Sequence, residues 1–123
     1  MLLVVLGGGI GAGLRYGLDR LLIGLWPETA AGFPWGTLTV NLVGCLAAGL
    51  LFGCLGREGV KYGPELKLLL ITGLCGGLTT FSAFALQTLQ VAPGKAAINV
   101  AASLIGGMTL AWVGLWVATP AAS

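Results

Sequence analysis

Gly73-Leu74-Cys75-Gly76-Gly77-Leu78-Thr79-Thr80-Phe81-Ser82-Ala83-Phe84 decides how the rest of the chain is read. The stretch lies inside an apolar run from about residue 66 to residue 89, long enough for a helix. Yet three glycines followed by two β-branched threonines make poor helix. A break there frees backbone N–H and C=O groups. In lipid, such groups are tolerated only where protein buries them or where they line an ion site. The reading therefore turns on whether the run crosses a membrane.

Working outward, it does. Three further apolar segments accompany it, giving expected spans at about 2–23, 35–55, 66–89 and 96–118 in one domain covering residues 1–123. Each has about 20 residues or more, enough to cross a hydrocarbon core at 1.5 Å per residue. Pro and charge gather between them, at Trp26-Pro27-Glu28-Thr29, at Gly56–Pro64 and at Val91–Lys95, as expected of turns at a membrane surface. Trp26, Trp35, Tyr62, Trp112 and Trp116 fall at or near the ends of these segments, where aromatic belts form. No basic residue precedes the first run and further spans follow it, which argues against a cleaved signal peptide. Continuous rather than alternating apolar character argues against a β-barrel.

Composition agrees. Of 123 residues, 57% are hydrophobic and 8% charged, with a mean hydropathy of +0.99. A soluble domain carries about a quarter charged residues, and disorder needs more charge and less apolar character. Arg15, Arg20, Arg57, Lys61, Lys67 and Lys95 stand singly, so no patch matches a row of phosphates and no nucleic-acid partner is expected. His is absent, which removes the commonest general base and metal ligand, and no enzyme chemistry is expected. Cys45, Cys54 and Cys75 have no C-x-x-C spacing and read as small buried hydrophobes.

Glycine is abundant, at 22 residues, and recurs as small-xxx-small pairs: Gly7/Gly11, Gly9/Gly13, Gly13/Gly17, Gly49/Gly53 and Gly73/Gly77. Such pairs let helix backbones approach closely in lipid. Four helices alone scarcely enclose a polar path, so a homodimer is expected. Basic residues are nearly balanced across the two faces, with Arg57, Lys61 and Lys67 against Arg15, Arg20 and Lys95. Two readings stay open: a chain with too few charges for the positive-inside rule to choose, or dual topology with antiparallel pairing.

Polar residues within the spans are few: Thr37, Thr39 and Asn41, then Thr72, Thr79, Thr80, Ser82, Gln87 and Thr88, then Asn99, Ser103 and Thr109. Hydroxyls often bond back to their own helix. Otherwise such groups should face a bundle interior or a wet cavity. Asn41 is harder to bury and carries two N–H donors. Phe81 and Phe84, three residues apart, can share a face of the helix that resumes after the break.

Along nearly its whole length the sequence resembles the Fluc (CrcB) fluoride channels. The resemblance rests on Gly8-Gly9-Ile10-Gly11-Ala12 with Arg15-Tyr16, on Gly36-Thr37-Leu38-Thr39-Val40-Asn41 with Gly44, and above all on Gly76-Gly77-Leu78-Thr79-Thr80-Phe81-Ser82-Ala83-Phe84. It implies an all-α integral membrane protein with four transmembrane helices, the third broken at mid-membrane. Two copies would form an antiparallel dual-topology homodimer in a prokaryotic inner membrane, with two pores passing fluoride passively and largely excluding chloride. It further implies that Phe81 and Phe84 line the pores with Asn41 as a donor, beside Thr80, Ser82 and Ser103. Arg15 would lie near an aqueous vestibule, and carbonyls of Gly76 and Thr79 would hold a structural sodium ion at the dimer interface. Where the family commonly has Glu after the second Phe, this chain has Gln87, which bears on rate more than on substrate.

The physics suits that role. A selective pore must replace tightly held water around a small anion with hydrogen bonds, each contributing about 1.5–3 kcal/mol with a charged partner. Phe rings offer electropositive edges. No Lys or Arg lies deep in the second to fourth spans to trap the ion. Two rival readings remain: a small dual-topology proton-coupled multidrug exporter and a non-conducting assembly subunit. The exporter needs a carboxylate at depth, and Asp19, near the end of the first span, is the sole acidic residue within any span. The subunit leaves the broken span and Asn41 unexplained.

Overall fold

A computed structural model describes residues 1–25 and 32–119. The expected turn at Trp26-Pro27-Glu28-Thr29, with Trp26 as a belt residue, lies outside the described residues. Among them are four helical spans: α1 (Leu2–Leu25), α2 (Trp35–Leu55), a third span (Gly63–Gln90) divided into α3 (63–78) and α4 (Phe81–Gln90), and α5 (Pro93–Ala118). All four are long and apolar enough to cross a membrane.

The third and fourth spans begin three residues earlier than the apolar runs. Pro64 and Pro93 explain this, because each sits in a first turn, where the missing N–H has no helical partner to lose. Tyr62 and Gly59, at φ 59° and 81°, reverse the chain in the left-handed region just before α3. A second difference is that α3 widens into π-helix over Lys67–Cys75, and α5 does so over Ala102–Gly106. Both stretches are apolar almost throughout, so no polar marker reveals the local period.

Packing follows the glycine pairs. A Cβ on Gly7 would overlap the Leu69 carbonyl and one on Gly11 the Leu74 carbonyl, while Gly73 and Gly77 would meet the backbone of Gly7 and Gly8 in return. Two small-xxx-small faces therefore close α1 against α3. A matching contact joins α2 to α5, with Gly49 against the Ala111 carbonyl and Gly114 against the Leu46 carbonyl. Gly9, Gly13 and Gly17 face open space within one chain.

The buried interior is small. It contains Leu38, Val40, Cys75, Leu78, Phe84 and Ala118, together with the polar Thr37, Thr80 and Asn99. Cys54 departs from the buried reading of the cysteines: it is exposed, whereas Cys75 is buried and Cys45 half-buried. Thr39, Thr72, Ser82 and Thr109 also lie exposed on the single chain rather than in its interior. Trp112 and Trp116 stack at 6.4 Å on the last turns of α5, and the Arg57 guanidinium donates to the Ala118 carbonyl at its end.

Candidate functional site

The helix stops at Leu78 because two residues turn extended. Thr79 lies at φ −81°, ψ 153° and Thr80 at φ −151°, ψ 115°. Thr79 finishes α3 by donating both its N–H and its hydroxyl to the Cys75 carbonyl, each at 2.9 Å. Thr80 opens α4 as its N-cap, its Oγ1 accepting from the Ala83 N–H at 3.2 Å and lying 3.2 Å from the Ser82 hydroxyl. The sequence that weakens the helix thus also supplies the groups that end and restart it.

Asn41 of α2 spans the gap. Its Oδ1 accepts the Thr80 N–H at 2.7 Å, and its Nδ2 donates to the Thr80 carbonyl at 3.1 Å. Close approach there depends on Gly44, one turn on, where a Cβ would overlap the Thr79 methyl. One of the two Nδ2 protons remains for another acceptor.

These bonds have a second consequence. In an unbroken helix the Thr80 N–H would serve the Gly76 carbonyl, and the Ala83 N–H would serve the Thr79 carbonyl. Both donors turn elsewhere, to Asn41 Oδ1 and to Thr80 Oγ1. Gly76 is exposed on the chain's surface. Among the described residues no group of three or more His, Cys, Asp or Glu could hold a metal ion. Any cation here would be one that takes neutral carbonyl oxygens.

Phe81 and Phe84 do come together, with ring centroids 5.4 Å apart and planes tilted by 46°. Their settings differ: Phe84 is 9% exposed and Phe81 76%. A cavity of about 200 Å³ opens between α1, α2 and α4, and Arg15, Tyr16, Asp19, Thr37, Thr80 and Gln87 are in its wall. It gathers Arg15, Thr80 and Gln87 of the expected site but not Asn41, Phe81, Ser82, Phe84 or Ser103. The oxygen Oε1 of Gln87 is buried there with no hydrogen-bond partner among the described residues, as is the Ser103 hydroxyl on the π-helical stretch of α5.

Tyr16 and Asp19 were not anticipated in that wall, whereas Thr37 was expected only to face a bundle interior or a wet cavity. The signal was available for Asp19, which follows Arg15 by four residues and so shares its face of α1. It lies against Gly36, where a Cβ would overlap its Oδ1. Asn99 was anticipated only as one of the polar residues of the spans that should face a bundle interior or a wet cavity. It is 1% exposed and donates to Thr88 Oγ1 at 2.8 Å, while that hydroxyl donates to the Phe84 carbonyl at 2.6 Å.

Comparison with known proteins places this arrangement in context. A family profile described as "CrcB-like protein, Camphor Resistance (CrcB)" matches residues 2–115. A fluoride-specific ion channel of Streptomyces avermitilis is 46% identical over 121 residues, 95% of this chain and 94% of that protein. Another of Methylobacillus flagellatus is 42% identical over 118 residues, covering 93% and 90% of the two chains. A third, of Novosphingobium aromaticivorans, is 44% identical over 116 residues, covering 91% and 90%.

Proposed function

The chain belongs to the CrcB family, and we propose that its fluoride path passes Asn41, Thr80, Ser82 and the Phe81–Phe84 pair at the broken third span. It is a fluoride channel of the prokaryotic plasma membrane, a multi-pass transporter rather than an enzyme. The observation that carries the path is the clamp of Asn41 on Thr80. It keeps a helix open at membrane depth and leaves one amide proton for an anion. Ser82, exposed beside Phe81, and the partnerless Ser103 hydroxyl supply further donors. Phe81 offers its ring edge to the ion as Phe84 packs behind it. Arg15 draws anions toward the vestibule without standing in the narrow part of the path.

The working unit is an antiparallel dual-topology homodimer with two pores. Exposed Gly76, Thr72, Ser82 and Thr109 support this reading, because polar surface on a membrane-spanning chain needs cover that lipid cannot give. The open faces of Gly9, Gly13 and Gly17 would allow a close neighbour.

The residues present also fit a structural sodium ion. The carbonyls of Gly76 and Thr79 have lost their usual helical donors and are hard oxygen ligands. Two from one chain are too few to enclose a cation, and a second copy would double them. The ion would supply a fixed positive charge that milder helix dipoles reinforce.

Passive conduction suffices for export. HF enters uncharged from acidic surroundings, ionises at cytoplasmic pH and stays trapped unless the anion has a path out. In a bacterial strain deprived of its own fluoride export, this chain should restore growth on fluoride, and Asn41→Asp should not. Growth no better than with an empty vector, from protein present in the membrane, would contradict the reading.

A further inference from the structure

Helix α4 carries both rings, yet it is only 10 residues long and has non-helical backbone at each end, at Thr79–Thr80 and at Val91–Ala92. Its orientation cannot be inherited from a continuous helix. It needs lateral anchors. Asn41 supplies one, from α2, at its N-terminus.

A second anchor comes from α5. Asn99 is 1% exposed, its Nδ2 lies 2.8 Å from Thr88 Oγ1, and Thr88 Oγ1 lies 2.6 Å from the Phe84 carbonyl. The direction of this relay is fixed by the donors. A carbonyl can only accept, so the one Thr88 hydroxyl proton goes to Phe84, and Asn99 must donate to Thr88. Such a chain of bonds in a poorly polar interior is mutually reinforcing. A hydroxyl back-bonded to the carbonyl one turn earlier also bends a helix locally. The carbonyl it engages is that of the residue bearing the buried ring.

We propose that Asn99 and Thr88 are positioning residues: through the Phe84 carbonyl they set the tilt of α4, and with it where the two rings stand in the fluoride path. This rests on the reading of Phe81 and Phe84 as path residues. Neither side chain needs to touch the ion.

The test uses the full chain in lipid, with Thr88→Val, Thr88→Ser and the double variant Asn99→Leu with Thr88→Val. Thr88→Val keeps the shape of Thr88 and cuts the relay, leaving a buried donor without a partner. Thr88→Ser keeps the relay. The double variant removes both partners, a change that can be nearly neutral for stability. Fluoride and chloride efflux from liposomes is read alongside thermal melting.

Thr88→Ser should match the parent. Thr88→Val and the double variant should lose about tenfold or more in fluoride rate, with the fluoride-to-chloride ratio falling, since small misplacements at a functional site carry losses of that size. Parental rate and ratio in a well-folded double variant, or equal behaviour of Thr88→Ser and Thr88→Val, would overturn the proposal. Amide hydrogen exchange over residues 81–90 gives a readout independent of transport. It should accelerate in Thr88→Val and not in Thr88→Ser. A parent that passes no fluoride but shows that exchange pattern would sink the path reading while sparing the anchor, and unchanged exchange in Thr88→Val would sink the anchor.

Discussion

The side-chain amide of Asn41 holds both main-chain groups of Thr80, accepting its N–H at 2.7 Å and donating to its carbonyl at 3.1 Å. One residue on α2 thus satisfies the backbone that the extended segment would leave bare in lipid, where each unsatisfied group is costly. Asn41→Asp keeps the acceptor, loses the donor and sets a carboxylate oxygen against the Thr80 carbonyl. Fluoride flux should vanish, and the melting temperature should drop by the equivalent of about 1–3 kcal/mol. Efflux and melting of the reconstituted variant check both, and parental flux would remove Asn41 from the path.

Phe81 and Phe84 should separate function from stability. Phe81 is 76% exposed on the chain and adds little to its core, so Phe81→Ile should slow fluoride while leaving the fold of one chain and the proposed homodimer intact. Phe84 is buried, so Phe84→Ala should also destabilise by about 3–5 kcal/mol. Size-exclusion and efflux on the same preparations read the two effects. Loss of assembly in Phe81→Ile would mark it as a packing residue.

Gln87 lines the cavity with a buried, partnerless Oε1. Gln87→Glu places a titratable carboxyl in the wall. Once ionised it adds a negative charge to a wall that also holds Arg15 and Asp19. Fluoride flux should therefore become pH-dependent, falling as the carboxyl ionises, with fluoride selectivity kept. Efflux across a pH series against the parent checks this; an unchanged profile would place Gln87 outside the ion's reach.

Glycine substitutions should sort by face. Gly77→Ala puts a Cβ into the Gly8 carbonyl and Gly49→Ala one into the Ala111 carbonyl, and backbone cannot move aside as a side chain can. Each should destabilise by about 1–3 kcal/mol. Gly13→Ala meets nothing within 4 Å among the described residues of its own chain. It should leave the fold of one chain intact, so any loss it produces should appear in the monomer–dimer balance. Melting and cross-linking distinguish these outcomes.

Much of this was legible in the sequence because lipid narrows the choices. Four apolar runs meant four helices, and the glycines before Thr79-Thr80 marked the stretch Gly73–Phe84 as the place of a break, though not its exact residues. Gly7/Gly11 and Gly73/Gly77 were visible as close-packing faces, but not as partners of each other. Pairing is a tertiary fact that one-dimensional spacing does not hold. The π-helical turns at Lys67–Cys75 were hidden for a related reason, since a run apolar on every side carries no phase. Asn41 was found as a costly polar group, whereas its clamp on Thr80 and the tie of Asn99 to Thr88 depend on contacts between residues 39 and 11 apart. Asp19 was read for its charge alone, and its seat against Gly36 emerged only when α1 and α2 were packed.

The most direct measurement is fluoride efflux from liposomes containing the purified chain and loaded with potassium fluoride, followed by a fluoride electrode after valinomycin. Chloride-loaded liposomes serve as the matched control. Rapid fluoride release with little chloride release, abolished by Asn41→Asp, is the predicted result. No fluoride release from well-folded protein, or equal release of both anions, would contradict it.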